Sequence, residues 1–449
     1  QDGGDPENAF CLYADGSAST IFVDGQEHKQ VIRAAEDLKD DIYAVSGGEV
    51  ALEQTSVPKN AENAVIIGTV GDSALIETLI ANGKFDEAES IRGKWECYAI
   101  KVVEAPCEGV DRALVIAGSD KRGTIYGIYT ISEKIGVSPW YWFADVTPEH
   151  KDTVTVDVDT IVSEEPSVKY RGIFINDEFN FTSWAKMYSN GTGSPNAEVY
   201  GHVFELLLRL KANTLWPGMH GVSTAFYADK DEDGISLNAK AADAYGIVIG
   251  TSHCEQCLRN NVGEWQNWVK AHSGEYGLPN VSGYSRYSEF AALYDFSLYP
   301  EAVSAYWYER LLETKDYESL ITIGMRGVHD EGFSYAGLQD KSFANRVALL
   351  QRVIDTQLAM IEEIYGEDYE EKVQLVYIPY KEAADYYYGT ENGVDYGVKI
   401  KLPESTMLMW ADDNYGGIRQ TPDEDELIVK DGYGNRGIYS LFSYVGVPC

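Results

Sequence analysis

Six times along the chain a short apolar run halts at acidic, amide or basic side chains. The runs are RGIFINDE (171–178), NTLWPGMH (213–220), GIVIGTSHCE (246–255), LITIGMRGVHDE (320–331), QLVYIPYKE (374–382) and TMLMWADDN (406–414). A continuous apolar run is the pattern of a strand buried on both faces, and helical periodicity fills the stretches between the runs. That alternation predicts an α/β chain with a TIM-type (β/α)8 barrel. In such a barrel the polar strand ends meet at one face, where its active site is built.

The helices between the runs follow the same logic. VFELLLRLKAN (203–213) and DGISLNAKAADAYG (233–246) lead into the second and third strands. Roughly 65 residues separate the third and fourth runs, including EYGLPNVSGYSRYSEF (275–290), which reads as a long loop over the active face. EAVSAYWYERLLET (301–314) returns to strand four, and NRVALLQRVIDTQLAMIEEIYG (345–366) is predicted to cover strands four and five. RGIYSLFSYVG (436–446) reads as a seventh strand, so the eight-stranded barrel lacks its last strand by Cys449.

Residues 1–165 read as a separate α+β, hexosaminidase-like domain, and 166–449 as the incomplete barrel. VIRAAEDLKDDIYAVSG (31–47) has helical spacing, while AVIIGTVG (64–71) and ALVIAGSDKRG (113–123) are strands ending in glycine turns. Neither turn fits a phosphate-binding glycine fingerprint, so packing is the better reading than nucleotide binding.

Charge narrows the partners. Thirty-six basic against seventy-two acidic residues give a net charge of −36, which excludes partners that reward Lys and Arg clusters: nucleic acid and anionic membrane surfaces. No apolar stretch is long enough to span a bilayer. The chain starts at Gln1 in a polar run, as a processed secreted or cell-surface protein would. Six cysteines are too sparse for a disulfide scaffold, and the C-x-x-C of Cys254 and Cys257 lacks the second pair that a structural zinc site needs.

Hydrolysis of a glycosidic bond requires one carboxylic acid to protonate the leaving oxygen and one carboxylate to activate water or attack carbon. The strand ends supply Asp177 and Glu178, Glu255, Asp330 and Glu331, Glu382, and Asp412 and Asp413. One such acid is as readily a cap or a salt-bridge partner, but five converging ends are not. Arg326, Lys381 and Arg419 are interleaved with them, able to neutralise the acids or to hold a substrate carboxylate. Trp216, Trp410, Tyr380 and Tyr415 stand at the same ends, suited to stacking on sugars or to rim packing.

The chain resembles glycoside hydrolase family 115, the xylan α-1,2-glucuronidases. The resemblance rests on GSDKRGTIYGIY (118–129), GVSPWYWFADV (136–146), FINDE (174–178), VFELLLRLKANTLWP (203–217), YGIVIGTSH (245–253), IGMRG with DE (323–331), YKE (380–382) and WADDNYGGIR (410–419). It implies an inverting, metal-free enzyme without a cofactor that removes (4-O-methyl)glucuronic acid from xylan or a related plant polysaccharide. Glu382 is implied as general acid and Asp330 as general base. Asp412 and Asn414 are implied as pocket members, and Arg326, Lys381 and His253 as substrate-binding positions. Where the family motif reads H-H-E-P-M, this chain has His253, Cys254, Glu255, Gln256 and Cys257. Two alternatives stand beside this reading: a β-hexosaminidase-like glycosidase, disfavoured by three strand-end cations, and a non-catalytic carbohydrate-binding protein.

Overall fold

The computed structural model describes residues 9–59, 61–176, 179–189, 191, 193–218 and 225–411, with short strands at 429–430, 433–434 and 438–440. Asp177, Glu178, Asp412, Asp413, Asn414, Tyr415 and Arg419 lie outside the described residues. The fold is mixed α/β with several sheets and divides into two compact units.

The first unit comprises Gln1–Arg171, Gly201–Asn213 and Ala242–Ile247. Its main sheet holds β1 (Thr20–Val23), β2 (Leu52–Gln54), β3 (Ala61–Thr69), β4 (Tyr98–Cys107), β5 (Val110–Gly118) and β6 (Ile161–Val162) in the order β2-β1-β3-β5-β4-β6. Helix α1 (Lys29–Ser46) buries Val31, Ala34, Ala35, Leu38, Ile42 and Val45 at helical spacing and stops at Gly47, whose φ of 71° is the left-handed C-cap. Helix α2 (Lys121–Ile135) starts where the Asp120 carboxylate accepts from the Gly123 N–H at 2.8 Å. Helix α3 (Ala197–Arg209) ends at a buried ion cluster, with Arg209 donating to both oxygens of Asp41 at 2.8 and 2.9 Å and to Glu205 at 2.8 Å. That pairing and the hydrogen bond from Asn213 to Glu96 explain why 201–213, lying within the barrel part of the sequence, belongs to this unit.

The second unit carries the predicted strands. β7 (Gly172–Phe174), β8 (Thr214–Trp216) and β9 (Val248–Ile249) form one parallel sheet in chain order. β10 (Leu320–Thr322), β11 (Gln374–Tyr377), β12 (Met407–Ala411) and β13 (Ile438–Ser440) form another, also parallel and in chain order. A parallel bridge between Ile249 and Ser319 joins the two sheets. Among the described residues no pairing returns from β13 to β7. A side chain at Gly172 would meet the Thr214 carbonyl at 1.7 Å, so the first strand pair requires glycine there. Helices α4 (Gly263–Ala271), α5 (Pro300–Thr314) and α6 (Phe343–Tyr365) supply Trp265, Trp307, Val353 and Ile354 to a core shared with Ile321, Leu375 and Leu408 of the strands. No helix among the described residues is long and apolar enough to cross a membrane.

Candidate active site

The loops after β9, β10 and β11 bring His253, Arg326, Asp330, Lys381 and Glu382 together. The β10 loop is fixed from behind by three buried polar side chains. Gln357 of α6 accepts from the Gly324 N–H and donates to its carbonyl, both at 2.8 Å. Asn261 donates to the Gly327 carbonyl and accepts from the His329 N–H, both at 2.9 Å. Asp295 accepts from the Ser334 hydroxyl at 2.6 Å and the Ala336 N–H at 2.9 Å. Such anchoring offsets the cost of His329 (φ 58°), whose left-handed backbone costs roughly 1–3 kcal/mol without glycine.

Arg326 is the centre of the constellation. Its Nε and Nη2 donate to the two oxygens of Glu382 at 3.0 and 3.1 Å, the fork geometry that guanidinium and carboxylate share. Its Nη1 donates to Asp330 Oδ1, so one guanidinium, 3% exposed, bridges both carboxylates. Glu382 also accepts from the Phe333 N–H at 2.9 Å. Asp330 is met by His253 Nε2 at 3.1 Å and by Lys381 Nζ on its other oxygen. Burial raises the Asp330 carboxyl, but the hydrogen bonds from His253, Lys381 and Arg326 outweigh it and hold the group well below the usual carboxylate range. Burial holds His253 below its usual range, with the Arg326 and Lys381 charges acting in the same sense and the bond to Asp330 opposing. The Tyr380 ring packs edge-on to His253 at 4.6 Å.

Other predicted site residues are placed elsewhere. Glu255 is buried, accepts from Asn260 Nδ2 at 3.0 Å and lines a small cavity with Pro217 and Thr251. Trp216 is 3% exposed, packed edge-on to Phe174 and close over Gly250, where an added Cβ would meet its Nε1 at 2.1 Å. Trp410 is buried and stacks on Tyr388 at 6.0 Å.

The family model for glycosyl hydrolase family 115 matches residues 163–449, more than half of the chain. The chain belongs to glycosyl hydrolase family 115. A solved family 115 structure, described as a 4-O-methyl-α-glucuronidase with specificity for decorated arabinogalactans, is 33% identical with a TM-score of 0.77. The match covers 98% of this chain and 50% of that one, so this chain spans about half the length of its solved relative. A chitobiase from Flavobacterium johnsoniae, 12% identical with a TM-score of 0.50, covers 93% of this chain and 54% of its own, and shares the fold alone. No curated protein matches the chain.

Within this family 115 chain the residue after His253 is Cys254, whose Sγ lies 3.9 Å from both Asp330 Oδ1 and Arg326 Nη1. Burial pushes its thiol well above the usual range. Donor atoms of His253, Cys254 and Asp330 do lie within 4.8 Å of one another, but Arg326 already approaches the same oxygen and sulfur, so a metal ion would compete with a fixed cation. Sequence reasoning missed Gln357, Asn261 and Asp295. Gln357 had a readable signal, a fully buried amide on the apolar stripe of Val353, Ile354 and Ile361.

Proposed function

We propose that this chain is an inverting α-glucuronidase that removes α-1,2-linked glucuronic or 4-O-methylglucuronic acid branches from a plant polysaccharide. The observation that carries the reading is the single Arg326 guanidinium bridging Asp330 and Glu382 in a member of family 115. Two carboxylates on different edges of one guanidinium are held apart rather than in contact, as suits an inverting pair separated by roughly 6.5–9.5 Å with a water between acid and base. Asp330, held ionised by three donors, takes a proton from that water while the oxygen attacks the anomeric carbon. In the reacting complex one Glu382 oxygen turns from Arg326 to the substrate and carries the proton that it gives to the departing glycosidic oxygen, so the bond to the backbone sugar breaks as the new C–O bond forms. His253 orients the base. Lys381 pairs with Asp330 but is 44% exposed, so it is the better placed of the two described cations to meet a uronate carboxylate, whereas Arg326 is buried between the acids. Asp177, Glu178, Asp412, Asn414 and Arg419, which lie outside the described residues, are assigned to substrate binding by the sequence alone.

The parallel, chain-ordered strands support a TIM-type (β/α)8 barrel for residues 166–449, and 1–165 is the hexosaminidase-like domain. A polymeric plant substrate favours a secreted or cell-surface protein. The solved relative is described as specific for decorated arabinogalactans, which sets arabinogalactan beside xylan as a candidate substrate.

The test is release of glucuronic acid from glucuronoxylan and arabinogalactan oligosaccharides by the chain and by Glu382→Gln. Loss of about 10²–10⁴-fold in kcat/KM is expected for the variant. Equal release by both proteins overturns the proposal. Newly released sugar seen by NMR in the retained anomeric form overturns inversion.

A further inference from the structure

A second cavity, about 350 Å³, opens between the loop that follows α4 and helices α5 and α6. It is lined by Tyr276, Ser304, Ala305, Tyr308, Glu309 and Met360, none of which lines the cleft at His253 and Arg326. It is a shallow groove, largely open to solvent.

The cavity is built from immobilised rings and one immobilised acid. Tyr276 has a φ of 50°, between Gly274 and Gly277 at 82° and 76°. A bulky side chain in that region is an outlier, and here it holds a ring 41% exposed to solvent. The ring stacks on Trp268 at 5.6 Å, and Trp268 stacks in turn on His272 at 4.2 Å. Trp268 Nε1 donates to Glu309 Oε2 at 2.7 Å and Arg259 Nη2 to the same oxygen at 3.2 Å, leaving the Glu309 side chain pinned yet 42% exposed. Tyr308 is fixed through its hydroxyl, which donates to Glu363 at 2.9 Å.

Fixed aromatic faces beside a fixed acceptor match a pyranose ring, whose C–H face packs on an aromatic and whose hydroxyls donate to a carboxylate. The charge selects among sugars. No lining residue is cationic, and Glu309 is already paired with Arg259 and lies 3.9 Å from His272, so the groove offers a uronate no lining cation, unlike the cleft that holds Arg326 and Lys381. We propose that this groove is an auxiliary site for neutral pyranose residues of the polysaccharide backbone, an assignment that rests on the carbohydrate-directed function above.

Calorimetric titration with two uronate-free probes, xylohexaose and a β-1,3-galactan hexasaccharide, tests it. The wild-type chain is expected to bind at least one. Tyr276→Ala combined with Tyr308→Ala is expected to weaken that binding by about tenfold or more, since each ring contributes on the scale of a stacked aromatic. Tyr276→Phe, which keeps the ring, retains binding, and release of glucuronic acid from a short aldouronic acid is unchanged in all variants. If the double variant does not fold, Tyr276→Ala alone serves, because that ring is solvent-facing. Failure of the wild type to bind either probe, or equal binding by the alanine variant, overturns the proposal. Intact backbone binding without glucuronic acid release counts against the function proposed above and leaves the groove standing.

Discussion

Arg326 illustrates how much one side chain can decide. Lysine keeps the charge but loses the planar fork, so it cannot serve both oxygens of Glu382 while reaching Asp330. Arg326→Lys is expected to cut kcat/KM by about 10²-fold or more, the scale of a lost charge-assisted contact in a preorganised site; steady-state kinetics on an aldouronic acid measures it. His253 gives a prediction in pH. Its folded pKa lies below the unfolded value, so its contribution to stability is complete above about pH 6.5 and is lost as the unfolded chain takes up a proton below that. Asp330, also depressed, acts in the same sense but only below about pH 4, where its unfolded counterpart protonates. Thermal melts between pH 7 and 5 should therefore show a steeper loss of Tm for the wild type than for His253→Gln. Parallel slopes would remove His253 as the cause.

The element that matters most is the loop from Gly324 to Ala336, because its strand, β10, is only three residues long and cannot by itself direct the chain beyond it. Gln357→Leu removes both hydrogen bonds at Gly324 and leaves a buried N–H and C=O unsatisfied, at about 1–3 kcal/mol each. Urea unfolding should report that loss, and activity should fall further than stability because Arg326 lies two residues on. In the first unit, Asp41→Ala leaves Arg209 with Glu205 alone, and removing one partner of a buried pair costs about 3–5 kcal/mol. Helices α1, α5 and α6 were legible because their apolar stripes are long and their ends carry glycine or proline. The strand runs were legible as apolar, but not which way their last side chains face. Trp216 ends its run where a sugar platform was plausible, yet it turns into the core over Gly250, and only the pairing of β8 with β9 brings those two positions together. Gln357, Asn261 and Asp295 act across 33, 66 and 39 residues of sequence, a separation that local pattern does not encode.

At the scale of the whole molecule the charge of −36 outweighs every other global property. Most of that charge cannot be paired internally, so self-repulsion opposes the compact state and salt should relieve it. Raising NaCl from about 20 to 500 mM is expected to raise the Tm at pH 7, since the screening length shrinks below the spacing of surface charges. A falling Tm would show that attractive surface pairs outweigh the excess.

The three anchors behind the β10 loop also bear on how such an enzyme diversifies. Gln357, Asn261 and Asp295 grip mainly backbone atoms at Gly324, Gly327, His329 and Ala336, so the path of the loop is set almost independently of the side chains it presents. An exposed side chain on that loop, such as Glu331, can then be exchanged while the backbone that carries Arg326 and Asp330 stays anchored. If the proposed function holds, new branch preferences become reachable through single substitutions that leave the two carboxylates in register.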